Sequence, residues 1–134
     1  ELLVSLNPKH LPRLADPYDE SEDLAKRARS YLHANCAQCH VPAGGGNAQF
    51  DIVFHKTLDK TKLIDTQPLH NKYGVVDPRL IAPGEPDRSI LLHRIAHRGR
   101  GQMPQLATTL VDERAVAMIR RWIAEMKPVN ATKK

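Results

Sequence analysis

Cys36-Ala37-Gln38-Cys39-His40 is the stretch on which the reading of this chain turns. Two thiols stand one helical turn apart, and a histidine directly follows the second. That spacing suits a c-type haem attachment site. Each thiol can add to one vinyl group of a porphyrin, and the neighbouring imidazole is then held beneath the iron as an axial ligand. These are also the only two cysteines in the chain, so a disulfide framework does not account for them. Two other chemistries use a CxxC. A redox dithiol expects a strand–helix–strand setting, whereas the flanks here read as helix and then loop. A structural zinc ion needs four N or S ligands. Cys36, Cys39 and His40 offer three, His33, His55 or His70 would have to complete the set, and adjacent Cys39 and His40 sit awkwardly around one tetrahedral ion. The expected cofactor is therefore one haem c, bound covalently through Cys36 and Cys39 and ligated by His40.

Working outward, Asp19 and Glu22 have the spacing of a capping box and predict a helix start. Leu24, Ala28, Tyr31 and Leu32 then share one face, and the helix runs into Cys36. Beyond His40, Pro42 and Gly44-Gly45-Gly46 mark a loop. Phe50-Asp51-Ile52-Val53-Phe54 alternates partly, as a strand would, and residues 55–82 show no period. Pro83-Gly84-Glu85-Pro86 punctuates the chain before a helix predicted from Asp87 or Arg88 to His97, with Leu91, Leu92, Ile95 and Ala96 inward and Gly99 as its stop. After an irregular stretch over 98–111, Asp112 is a good N-cap for a last helix with Val116, Ile119, Trp122, Ile123 and Met126 on its apolar face. Pro128 ends it. The domain is thus expected over 19–128, with residues 1–18 (Pro8, Pro12 and Pro17 among them) as a lead-in or linker and 129–134 as a tail. The fold class is expected to be all-α.

A chain of 134 residues has room for one hydrophobic core. Its 41% hydrophobic and 26% charged content is ordinary for a globular domain, but aromatics make up only 4%. A porphyrin would supply the flat apolar area that aromatic side chains usually bring. The net charge of +5 favours a partly acidic docking face on a partner. With no dense Lys/Arg block interleaved with aromatics, it does not point to nucleic acid. Lys56, Lys60 and Lys62 read as a solvated face. No apolar run approaches the roughly 18 residues of a membrane helix, so no transmembrane segment is expected in this chain. The sequence opens at Glu1 without a signal-peptide pattern, as a processed mature chain or an excised domain would.

A haem carrier of electrons needs a second axial ligand. Met118 and Met126 fall in the last helix, where Met usually fills core. Met103 lies instead in an irregular loop, where Pro104 biases it away from helix, and far enough beyond His40 for the chain to pass round a haem edge. It is the expected distal ligand. His55 and His70 read as surface residues, and His93 and His97 as exposed or as neighbours of a propionate. Arg98 and Arg100, just before Met103, suit propionate carboxylates, although a solvated basic loop would read the same way. Trp122 is expected to pack against Tyr31 where the first and last helices meet.

A CxxCH after an N-terminal helix, a Met-Pro loop and a Trp-bearing C-terminal helix together resemble a class I cytochrome c domain over roughly residues 20–127. That resemblance implies an all-α fold whose first and last helices cross near right angles. It makes Cys36 and Cys39 the thioether cysteines, His40 the proximal ligand and Met103 the distal one. Tyr31-Leu32-His33-Ala34-Asn35, Leu80-Ile81-Ala82-Pro83-Gly84-Glu85-Pro86, Gly101-Gln102-Met103-Pro104 and Val111-Asp112-Glu113 are further similar to cytochrome c domains fused to large secreted oxidoreductases. Pyrroloquinoline-quinone-dependent sugar dehydrogenase-like proteins of planctomycete type are the best example. The likeness implies an electron-transfer domain that is not itself an enzyme, fed by a dehydrogenase domain or partner and located in the periplasm or elsewhere outside the bacterial cytoplasm. Residues 44–82 depart from the family as a long irregular insertion between the haem motif and the Met loop, with room for a short β-hairpin. Two alternatives stand beside this reading: a haem enzyme or small-ligand sensor with a displaceable sixth ligand, and a zinc-stabilised interaction module.

Overall fold

Asp112 caps the last helix as its sequence predicts. Its carboxylate accepts the Ala115 N–H at 2.9 Å and starts α3, Glu113–Glu125. The computed structural model describes Lys9, residues 11–48 and residues 50–128; the predicted tail and half of the predicted lead-in lie outside the described residues. Two further helices are α1, Leu24–Cys36, and α2, Ile90–Ile95, with 3-10 turns at Leu58–Thr61 and Pro86–Arg88. Among the described residues there is no sheet, only single-residue parallel bridges between Ile64 and Ile81 and between Arg79 and Ser89. The regular structure is all-α. No helix among the described residues is long and apolar enough to cross a membrane.

α1 starts four residues later than its predicted capping box. Asp23 is the N-cap, accepting the Lys26 N–H at 2.8 Å. Asp19 spends its carboxylate on the backbone N–H and hydroxyl of Ser21, and so closes a turn instead. Glu22 pairs along the helix with Lys26 at 3.0 Å. The chain before α1 is tied down from residue 15 onward. The Ala15 N–H donates to the Ser30 hydroxyl at 2.9 Å, Arg27 Nε donates to the Pro17 carbonyl at 2.9 Å, and the Tyr18 hydroxyl donates to the Asp112 carboxylate.

α1 and α3 meet through Ala28 and Leu32 on one side and Met118, Ile119, Trp122 and Ile123 on the other. Ala28, Leu32, Ile119 and Ile123 are completely buried, and each such leucine or isoleucine contributes about 1.5–3 kcal/mol. Trp122 belongs to this core, with Tyr31 half-buried against it.

The expected helix from residue 87 to 97 is shorter than its apolar pattern. Ser89 is extended and its hydroxyl is buried, accepting the Ala82 N–H at 2.9 Å and donating to the Glu85 carbonyl at 3.1 Å. The chain therefore makes a 3-10 turn, breaks at Ser89 and resumes as α2. Ile90, Leu92 and Ile95 face inward, whereas Ala96 is exposed.

The possible β-hairpin in the insertion does not form. The Asp51 N–H donates to the Thr61 carbonyl and the Ile52 N–H to the His40 carbonyl, two different partners for two successive residues. The carbonyls of Val53, Phe54 and Lys56 are collected by a single side-chain nitrogen, Arg29 Nη2. With donors and acceptors used up in this way, no ladder can extend. The alternation around Ile52 marks one completely buried anchor, joined in the core by Leu63 and Ile81 from the same insertion.

Candidate functional site

Cys36 is the last residue of α1, and the chain turns tightly after it. The Cys39 and His40 N–H groups both donate to the Cys36 carbonyl, at 3.1 and 2.9 Å. Both cysteines are free thiols, Cys36 half-buried against the core and Cys39 exposed. Burial, helped by the neighbouring Cys39, pushes the Cys36 thiol up to about 12, so it stays protonated at neutral pH.

His40 is 8% exposed, and its ring stacks on Phe50 with centroids 4.1 Å apart and planes 13° from parallel. Burial holds its pKa below the usual imidazole value. The Ala48 backbone opposes that shift, and the Arg94 guanidinium adds to it. The neutral ring this favours is the form that ligates a metal. Its Nδ1 is buried and makes no well-formed hydrogen bond, although the Ala48 backbone acts on the ring as a hydrogen-bonding group. Close backbone packing surrounds it. A methyl group at Gly46 would lie 2.7 Å from His40 Nδ1 and 2.9 Å from the Cys39 carbonyl oxygen, and one at Gly44 would lie 2.3 Å from that same oxygen. At Gly44 and Gly46 the chain therefore folds back over the Cys39-His40 peptide with no room for a Cβ, whereas one at Gly45 would meet nothing within 4 Å.

Two thiols flank one turn, and the imidazole that directly follows them is buried and held toward its neutral form; this donor set fits an iron porphyrin. It does not gather zinc ligands. Among the described residues, no three His, Cys, Asp or Glu side chains are grouped as a metal ion would require. His33 turns its Nδ1 to the Phe54 N–H at 3.2 Å, and His55 and His70 are exposed.

Met103 lies in a half-buried loop, and the Met103–Pro104 peptide bond is cis. Its N–H donates to the Arg94 carbonyl at 2.9 Å. The Arg94 side chain is held on this loop as well, its Nη1 donating to the Gly101 carbonyl at 2.9 Å. Arg98, half-buried, donates to the His97 and Leu110 carbonyls at 2.7 and 3.0 Å, so its guanidinium braces the loop. Arg100 is exposed, and its carbonyl lies 3.4 Å from His97 Nε2. His93 and His97 are half-buried and flank the ring of Tyr73, one stacked and one edge-on.

Sequence reasoning missed Arg94 and Tyr73. Neither belongs to a motif, and Tyr73 falls in the stretch without a period. The only local signal was the Gly99-Arg100-Gly101 spacing, which proves to hold two positive φ angles, +108° and +92°. No family model matches this chain, and no curated protein or solved structure matches it either.

Proposed function

We propose that this chain is a mono-haem c-type cytochrome domain of class I type that carries single electrons and performs no chemistry on a substrate. What supports this reading is the buried His40, held toward its neutral form by burial, directly after Cys36 and Cys39 at the end of α1. Haem c, when bound, supplies an iron that cycles between Fe(II) and Fe(III).

The residues divide the work. Cys36 and Cys39 hold the group covalently. The stack on Phe50 and the folded-back Gly44–Gly46 run orient the His40 imidazole. Met103 would supply the second ligand to the iron, a thioether that would favour a higher potential than a second imidazole. Arg98 and Arg100 stand close enough in sequence to Met103 to face propionates. A dehydrogenase domain or separate redox protein feeds the electrons, in an extracytoplasmic compartment.

The test is an absorption spectrum of the purified protein, oxidised and then reduced with dithionite. Sharp reduced α and β bands, with a weak long-wavelength iron–sulfur band in the oxidised form, are expected for a His40/Met103 pair. A low-spin spectrum lacking the sulfur band would move the distal ligand to a histidine, and a high-spin one would favour ligand chemistry. No haem at all would overturn the reading. With a net charge of +5, the electron-transfer rate to an acidic partner should fall as salt rises from low to physiological strength; a flat rate would remove the charge argument.

A further inference from the structure

We propose that Tyr73, carried by the insertion, positions Met103 by clasping its loop together with Arg94. The juxtaposition lies at the Gly101 carbonyl, two residues before Met103. That oxygen accepts the Tyr73 hydroxyl at 2.7 Å and Arg94 Nη1 at 2.9 Å, one donor for each lone pair. The Arg94 backbone carbonyl meanwhile takes the Met103 N–H at 2.9 Å. The loop is therefore gripped on both sides of Gln102 by groups outside it.

Each partner is itself held. The Tyr73 N–H donates to Asn71 Oδ1 at 3.0 Å and its backbone sits at φ +54°. Its ring lies between His93, stacked at 5.9 Å, and His97, edge-on at 5.2 Å, with the Arg94 guanidinium 5.5 Å from the ring centroid. Gly101 fits this grip in two ways. Its φ of +92° disfavours a side chain, and a Cβ there would stand 2.4 Å from the Tyr73 hydroxyl oxygen. This assigns a task to the insertion, which simpler domains of the resembled class lack: it reaches across to hold the distal loop. The inference rests on the haem reading above, with Met103 as the distal ligand.

Tyr73→Phe removes the hydroxyl and keeps the ring and its contacts. In the haem-loaded ferric protein, added imidazole should displace Met103 from the iron at about a fivefold lower concentration than in the wild type, the factor one ordinary hydrogen bond supplies. Loss of the iron–sulfur band follows the displacement. In the same protein, hydrogen exchange of the Met103 amide should quicken several-fold while the Ile119 amide in α3 does not change. A variant with wild-type imidazole displacement and wild-type Met103 exchange overturns the clasp. So does one in which the Met103 and Ile119 amides quicken alike, because that marks a general loss of stability. If the wild type itself shows no iron–sulfur band, the distal-ligand assignment fails, and the exchange pair, measured on the protein as isolated, still decides whether Tyr73 holds the loop.

Discussion

The two sides of the candidate site are built by different forces. On the His40 side, α1 delivers the motif from a helix pair whose contact surface is apolar and closed, with Ala28, Leu32, Ile119 and Ile123 at zero exposure. On the Met103 side, the loop over 98–111 has no helix of its own. It exposes Leu106 and Leu110 at 82% each and holds its shape by polar contacts. Gln102 alone closes three of these: its Oε1 accepts the Gly99 N–H at 2.7 Å, and its Nε2 donates to the Pro104 and Thr108 carbonyls at 3.0 and 3.1 Å. Apolar burial sums over many atoms and resists local opening, whereas each hydrogen bond exchanged with water is worth only about 0.5–1.5 kcal/mol. His40 is therefore anchored by the core, and Met103 by a few replaceable bonds.

The largest expected effect lies in the apolar half. Leu32→Ala should cost about 2–5 kcal/mol of global stability, seen as a lower urea midpoint of the haem-loaded protein with its oxidised spectrum unchanged below the transition. A spectral change before unfolding would show that the core also sets the distal side. Next is Gly46→Ala, whose added methyl must push into His40 Nδ1 or the Cys39 carbonyl. A cost of about 1–3 kcal/mol is expected from overpacking, with reduced haem incorporation during expression; a neutral result would mean that the folded-back run yields easily.

Gln102→Ala tests the other half. Its three bonds, exposed or only partly buried, should together cost about 1.5 kcal/mol of global stability, the low end of their range, while the iron–sulfur band should weaken and carbon monoxide should bind the reduced protein more readily. A spectrum identical to wild type would erase the contrast between the two sides.

The smallest effect at neutral pH belongs to a polar tie within the apolar half. The Tyr18 phenol is pushed up to about 12, first by its hydrogen bond to the Asp112 carboxylate and then by burial. A folded-state pKa above the ordinary value of 10 means that this stabilisation is complete below that pH and is lost as pH rises through the folded value. Tyr18→Phe should therefore flatten the alkaline decline of the urea midpoint, leaving a residue due to Tyr31, which burial also raises to about 12. An unchanged alkaline slope would assign the whole decline elsewhere.

What could be read in advance follows from the range of the interactions. Asp112 as the cap of α3, the apolar face of that helix, and Cys36-x-x-Cys39-His40 at the end of α1 depend on residues three or four positions apart, and the sequence states such spacings directly. Even these local signals compete. Asp19 and Asp23 both offer a capping carboxylate, and Ser21 takes the first, so α1 begins after the second. The 87–97 apolar pattern is continuous, but a buried hydroxyl at Ser89, bonded back to Ala82 and Glu85, breaks its helix.

The rest depended on contacts that no window along the chain contains. The Phe50–Phe54 alternation was overridden by Arg29 reaching carbonyls more than twenty residues away. The grip on Gly101 joins Tyr73 to a loop twenty-eight residues further on. The sequence by itself determined an all-α domain carrying a CxxCH motif at the end of a helix, because capping and periodicity act over one or two turns. Only the tertiary structure decided how the insertion is spent and what holds Met103, because those bonds pair backbone groups with side chains that the fold alone brings together.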